Sequence, residues 1–255
     1  MIEHLADADV SLLLRGESGV GKEAIARELH RRSPRSHKPF VKVSCAALPA
    51  ALIESELFGS EQGAFTGTES ARAGRFEFAR TGTILLDRIC ELPLHLQARL
   101  LHVLRDRSFT RIGRDQQVTV NVRILAATSR DLEGMLRDGR FRRDLYYGLQ
   151  VIEITVPPLR VRQDEIVPLA KCLIRHYAGA YHRPVVEPSL RLSNAMRACE
   201  WPGNIRQLEN MMKRLVVLQH EGLVLEELRR HGSARHPVVS GGGLPLPPRH
   251  PSMTP

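Results

Sequence analysis

Gly16-Glu17-Ser18-Gly19-Val20-Gly21-Lys22-Glu23 sets three glycines, a lysine and two carboxylates into eight consecutive positions. A G-x-x-x-x-G-K run of this kind can curl so that its backbone N–H groups face inward on a phosphate, while the lysine reaches the outer phosphate oxygens. A helix beginning at the end of the run would add partial positive charge. These eight residues are therefore candidate contacts for a nucleotide. Glu23 stands where a Ser or Thr hydroxyl usually touches Mg2+. A second chemical feature closes the run T-I-L-L-D-R-I-C-E, Thr83 to Glu91. Apolar, β-favouring residues end on Asp87, a common way to hold Mg2+ beside a nucleotide, yet Arg88 places a permanent positive charge next to it. Either the metal site is absent or it has changed.

These residues need a scaffold that brings them together. Val10 to Leu14 is a short apolar run that stops at the glycine-rich turn, and Glu23 to Arg32 then carries Ile25, Ala26 and Leu29 at helical spacing. Further strands are predicted at Phe40 to Val43, Thr83 to Asp87, Arg123 to Thr128 and Val151 to Val156, with helices through Leu52–Leu57 and Leu94–Leu104. Alternating strands and helices predict an α/β fold with a mostly parallel five-stranded sheet covered on both faces. After Pro157-Pro158 the pattern turns helical at Glu165 to Tyr177, Ser189 to Cys199 and Asn204 to Leu218. The expected organisation is an α/β nucleotide-binding domain over 1–157, a small all-helical lid over 158–228 and a disordered Gly/Pro-rich tail over 229–255.

Composition bounds the partners. In 255 residues, 42% hydrophobic and 25% charged, no apolar run reaches the roughly 18 residues a membrane span needs. The start lacks the layout of a signal peptide, so a cytoplasmic location is expected. Cys45, Cys90, Cys172 and Cys199 form no C-x-x-C pair, which argues against a zinc site or a disulfide framework. Thirty-seven Lys+Arg against 28 Asp+Glu give a formal charge of +9, suited to polyanions such as nucleotide phosphates, although the basic residues are dispersed as on an ordinary solvated surface.

G-E-S-G-V-G-K-E, E-S-E-L-F-G-S-E-Q-G-A-F-T-G-T from Glu54 to Thr68 and W-P-G-N-I-R-Q-L-E-N from Trp201 to Asn210 together resemble the AAA+ central domain of sigma-54-dependent transcriptional activators, over residues 6–220. R-A-G-R-F-E and G-R-F-R-R-D-L-Y-Y most resemble regulators of propionate catabolism within it. The resemblance implies a P-loop AAA+ fold and a hexameric ring, a homo-oligomer that binds and hydrolyses ATP with Mg2+ to remodel sigma-54 RNA polymerase. It further implies that Lys22 contacts phosphates, Asp87 holds the metal's water shell, and Arg206 senses nucleotide from the lid. Arg142 would act between subunits. The loop Gly63-Ala64-Phe65-Thr66-Gly67-Thr68 would touch sigma-54 through Phe65. A lone aromatic between glycines suits such a contact, though a hydrophobe packed beneath a turn fits too. Arg206 could equally be a solvated side chain.

Several positions depart from that pattern. The family glutamate after Asp87 is Arg88, the switch asparagine is Ser44, the sensor asparagine is Ser129, and a second inter-subunit arginine is Gly148. Arginine cannot accept a proton, so base-assisted attack on ATP would be lost. Thr68 replaces the final alanine of the loop, a milder change. Neither an adenine-enclosing segment ahead of Leu5 nor a DNA-binding module after the lid is readable. Three readings follow: an ATP-binding sigma-54 interaction domain with impaired hydrolysis, a non-hydrolysing protein that modulates an active relative, or a truncated inactive copy.

Overall fold

The computed structural model describes residues 2–46, 48–62, 71–113 and 116–233. Seven strands are present among them: β1 Leu12–Arg15, β2 Phe40–Ser44, β3 Thr83–Asp87, β4 Ser108–Thr110, β5 Gln117–Thr119, β6 Arg123–Thr128 and β7 Ile152–Thr155. Five make one sheet in the order β2-β3-β6-β1-β7, every neighbouring pair parallel. This is the expected α/β fold. Helix α1 Ile2–Asp7 precedes the first strand. Parallel strands need crossovers, and here helices supply them: α2 Lys22–Arg31, α3 Ala50–Phe58, α4 Arg75–Ala79, α5 Leu94–Asp106, α6 Leu132–Arg137 and α7 Arg143–Leu149.

Side-chain alternation along the strands divides the sheet's two faces. Leu13, Ile84, Leu86, Ile124 and Ala126 join a large core with Ile53, Leu57, Phe76, Leu100 and Leu145 of α3, α4, α5 and α7. Leu12, Leu14, Leu85, Leu125 and Ala127 face the other way onto Ala6, Ala26 and Leu29 of α1 and α2. Two buried faces explain why these strands read as unbroken apolar runs. Arg123, itself buried, reaches past the sheet to donate to the Leu5 and Ala6 carbonyls at 2.6 and 2.8 Å, which fastens α1 over this second core.

The antiparallel β4–β5 pair was not foreseen. Three-residue strands are too short to show a period in sequence. Beyond Thr155 the lid is built from α8 Gln163–Ala180, α9 Leu190–Ala198, α10 Asn204–Leu218 and α11 Glu221–Ser233. The sequence reading has no helix after Leu218, yet α11 forms with Val224 and Leu228, one turn apart, buried against the lid core, and it runs past the lid boundary expected at residue 228. The lid has its own core, in which Trp201, the chain's single tryptophan, is wholly buried and donates from Nε1 to the Met196 carbonyl at 2.8 Å. Residues 63–68, expected to meet a partner, and the tail after Ser233 lie outside the described residues. Among the described residues no helix is long and apolar enough to cross a membrane.

Leu208, like Trp201, is wholly buried in the lid core. Leu208→Ala should cost about 2–5 kcal/mol through lost burial and a cavity. The check is urea unfolding followed by Trp201 fluorescence, whose midpoint should fall.

Candidate functional site

Parallel register puts the carboxyl ends of three strands side by side. Arg15 at the end of β1 pairs with Thr128 of β6, and Asp87 at the end of β3 pairs with Ala127 of β6. The segments that leave these ends, 16–21, Arg88 and Ser129, therefore converge at the edge where open α/β sheets bind ligands. A cavity of about 390 Å³ opens there, lined by Ser18, Gly19, Gly21, Lys22, Glu23, Asp87, Arg88, Ser129 and, from the lid, Arg206. Gly16, Glu17 and Val20 belong to the loop but do not line the cavity, and Arg142 does not either.

Lys22 begins α2 and is buried. Its Nζ donates to the Gly16 and Glu17 carbonyls at 2.7 and 2.8 Å, folding the side chain back along the loop. Burial lowers its pKa; the Asp87 carboxylate opposes this, while Arg206 and Arg88 add to it. A desolvated ammonium crowded by two guanidinium groups favours an anionic ligand. Gly16 is required by crowding, since a Cβ there would lie 2.5 Å from the Val156 carbonyl oxygen.

Glu23 borders the cavity but is committed to cations. Its carboxylate accepts from Arg27 at 2.8 Å and from Lys42 at 2.5 Å, and Lys42 first, then Arg27, holds it below the usual carboxylate range. Asp87 accepts the backbone N–H of Arg88 on Oδ1 at 3.0 Å, with Arg88 in the left-handed region at φ 55°. One carboxylate with one oxygen already engaged is the donor set for a divalent ion, and no group of three His, Cys, Asp or Glu that could hold a metal occurs among the described residues. Mg2+ needs only one or two protein carboxylates when phosphates supply other ligands. The residues thus fit Mg2+ carried by phosphates and held through Asp87, not a metal bound by protein alone.

The lid closes directly on the phosphate loop, a relation the sequence reading missed. Asn204, wholly buried and left-handed at φ 51°, accepts the Leu159 N–H on Oδ1 at 2.8 Å. Its Nδ2 donates to Glu17 Oε2 at 3.0 Å and to the Ser18 carbonyl at 3.1 Å. The Ile205 N–H donates to the Gly19 carbonyl at 2.9 Å. So close is the approach that a Cβ on Gly19, already at φ 80°, would lie 2.4 Å from the Gly203 oxygen. Glu17 also pairs with Arg160 at 2.6 Å, so its side chain serves the lid junction instead of the cavity. Arg160 first, then Asn204, pulls the Glu17 carboxyl down to about 2. The available signals were Asn after Gly203 and the acid inside the glycine loop; neither reveals its partner without coordinates.

Arg142 sits ahead of α7, where its N–H donates to Gln97 Oε1 at 2.8 Å and its guanidinium pairs with Asp144 at 2.7 Å. Gly148, on the same helix, lines a separate cavity with Leu101, Leu104 and Tyr147. The described residues that flank 63–68 in the chain, a stalk of Ser60, Glu61 and Arg72, are tied together. Ser60 and Arg72 exchange backbone hydrogen bonds at 3.0 and 2.7 Å, the Glu61 N–H donates to the Ile112 carbonyl, and Arg111 bridges Glu61 at 2.8 Å and Glu77 at 2.5 Å.

Asn204→Ala would strip partners from the Leu159 N–H, the Ser18 carbonyl and Glu17, at a cost of about 1–3 kcal/mol. Urea titration should record it. For Glu17, whose folded pKa is depressed from 4.5 to about 2, the stabilisation is complete above the ordinary carboxylate value and fades as pH falls toward the folded one. The advantage of wild type over Glu17→Gln in urea midpoint should therefore be flat at neutral pH and shrink on acidification below 4.5.

Residues 1–155 match the Sigma-54 interaction domain family, and residues 160–237 match the AAA+ ATPase lid domain family. The chain is 45% identical over 244 residues to the regulatory protein AtoC of Escherichia coli, covering 96% of this chain and 53% of the relative. It is 47% identical over 229 residues to the Nif-specific regulatory protein of Azotobacter vinelandii, covering 89% and 43%. The chain spans about half the length of the curated relatives it matches. Among solved structures, NtrX from Brucella abortus in complex with ADP superposes with a TM-score of 0.83 at 33% identity, over 94% of this chain and 54% of that one. NtrX in complex with ATP gives 0.78 at 34%, over 86% and 50%. With the parallel sheet, the phosphate loop and the helical lid in place, this chain belongs to the sigma-54 interaction domain family of AAA+ proteins.

Proposed function

We propose that the domain binds ATP between the phosphate loop and the lid and presents the loop around Phe65 to sigma-54 from a homo-oligomeric ring, while hydrolysing ATP poorly or not at all. The observation that carries the nucleotide part is the convergence of Lys22, Asp87 and Arg206 on one cavity at the carboxyl edge of the sheet. NtrX structures holding ADP and ATP on the same fold support it. Bound Mg2+ would neutralise phosphate charge, held through Asp87. Lys22 would exchange two carbonyl partners for phosphate oxygens, and Arg206 would bring the lid's charge to the same ligand.

Impaired hydrolysis rests on side-chain chemistry. The group that follows Asp87 in the cavity is the Arg88 guanidinium, which has no lone pair to accept a proton from water. Loss of a general base is worth roughly 10²–10⁴ in rate. Gly148 offers nothing that could reach a neighbouring subunit's phosphate, and an arginine supplied in that way can be worth roughly 10³–10⁵. Ser129 is shorter than the asparagine expected there. Retention of Arg142 beside the loss at Gly148 favours a second reading, in which the protein enters rings of an active relative and slows them. Mixing the two proteins should then lower the relative's turnover, and unchanged turnover at several-fold excess removes that reading.

Fluorescent ATP-analogue binding together with phosphate release tests the main proposal: binding without appreciable turnover is expected, and turnover equal to that of an active family member overturns the impairment. Arg88→Glu combined with Gly148→Arg should restore measurable hydrolysis, with Arg88→Glu alone restoring little. A Cβ at 148 meets Leu101 and Leu104 at an ordinary 3.7 Å, so the second substitution begins without a clash at Cβ. Arg111→Ala should loosen the stalk and weaken capture of sigma-54 while nucleotide affinity holds.

A further inference from the structure

Five cations and three carboxylates line the phosphate cavity among the described residues: Lys22, Arg27, Lys42, Arg88 and Arg206 against Glu23, Asp87 and Glu209. Most of these charges are already matched. Arg27 and Lys42 both hold Glu23. Glu209 pairs with Lys213 at 2.8 Å and accepts from the Tyr177 hydroxyl. Lys22 is bonded to loop carbonyls. What is left over is Asp87 and two guanidinium groups, Arg88 from the sheet edge and Arg206 from the lid, neither of which makes an ion pair or a side-chain hydrogen bond among the described residues. Arg206 acts on Glu209 only at longer range, and two guanidinium groups without an ion-pair partner, against the one carboxylate of Asp87, leave net positive charge facing one cavity from two domains, which calls for an anion with several acceptor oxygens.

Charge bookkeeping sharpens this. A triphosphate is normally brought into such a cavity with a divalent cation, because its own charge must be offset. Relative to a carboxylate, an arginine at position 88 adds two positive charge units beside Asp87, the charge of one Mg2+. We propose that Arg88 is a phosphate-binding residue which, together with Arg206, lets the cavity retain a nucleoside triphosphate largely without a divalent metal. This rests on the nucleotide-binding reading above and deepens it: the residue that removes the general base becomes a fixed counter-charge. The left-handed backbone of Arg88 and the bond from its N–H to Asp87 Oδ1 anchor the start of that side chain. The expected ligand is the nucleoside triphosphate itself, held as a stable complex.

Binding of a fluorescent ATP analogue to the full chain, in excess Mg2+ and in excess EDTA, tests the proposal with no need for turnover. Wild type should lose no more than about threefold in affinity on metal removal, whereas Arg88→Gln should lose tenfold or more, the step expected for one charge-assisted contact of about 1.4 kcal/mol. Arg88→Glu should widen the gap further, and Arg88→Lys, which keeps the charge, should recover part of the tolerance. Near-UV circular dichroism and Trp201 fluorescence verify that each variant is folded. Equal metal dependence in wild type and Arg88→Gln overturns the role of Arg88 and leaves nucleotide binding standing. Absence of binding by wild type under both conditions overturns the nucleotide reading as well.

Discussion

One buried amide ties the molecule together. Asn204 uses both ends of its side chain, one on the entry to the lid at Leu159 and the other on the phosphate loop at Glu17 and Ser18. It has no exposure to water, so every one of those bonds is made where a lost partner is costly. The Gly19–Gly203 approach and the Ile205–Gly19 backbone bond fix the same junction. The cavity exists because the lid is held there. With the W-P-G-N turn elsewhere, Arg206 would face solvent, and Lys22 would stand at an open sheet edge.

The junction also explains a division of labour within the glycine loop. Its backbone and Lys22 face the cavity, while the Glu17 carboxylate faces outward to Arg160 and Asn204. A rearrangement of the loop around a ligand would be felt directly by its bonds to Asn204, Ile205 and Arg160, and lid movement would in turn press on the loop. The segments at the strand ends and the position of a separately cored helical domain are thereby mechanically linked. Elsewhere in the α/β domain, Arg111 bridges Glu61 and Glu77 beside the segments that flank residues 63–68 in the chain.

Arg88 changes the character of the site without disturbing this frame. Its side chain is exposed at the cavity wall, its backbone closes a short turn after β3, and the sheet beneath it packs as apolar strands on both faces. A fold of this kind tolerates an altered residue at a strand's carboxyl end because that residue bears ligand contacts and little of the core. Binding and turnover can therefore part company on one scaffold.

Readable from the chain's local patterns were the five strands, the glycine loop with Lys22, and Asp87 at a strand end. Each is a local pattern: an apolar run, a spacing, a residue type at a strand end. Three lid helices were legible for the same reason, whereas α11 went unread as a whole, and the β4–β5 pair was too short to signal. Tertiary structure alone decided which charges find partners. Glu17 in the loop and Glu23 in the first turn of α2 look alike in sequence, yet one turns to the lid and the other to Lys42, and Arg88 and Arg206 are left to the cavity. Such pairings join residues far apart in the chain, and no local period encodes them; they follow from the parallel register of the strands and the seating of the lid on Gly19.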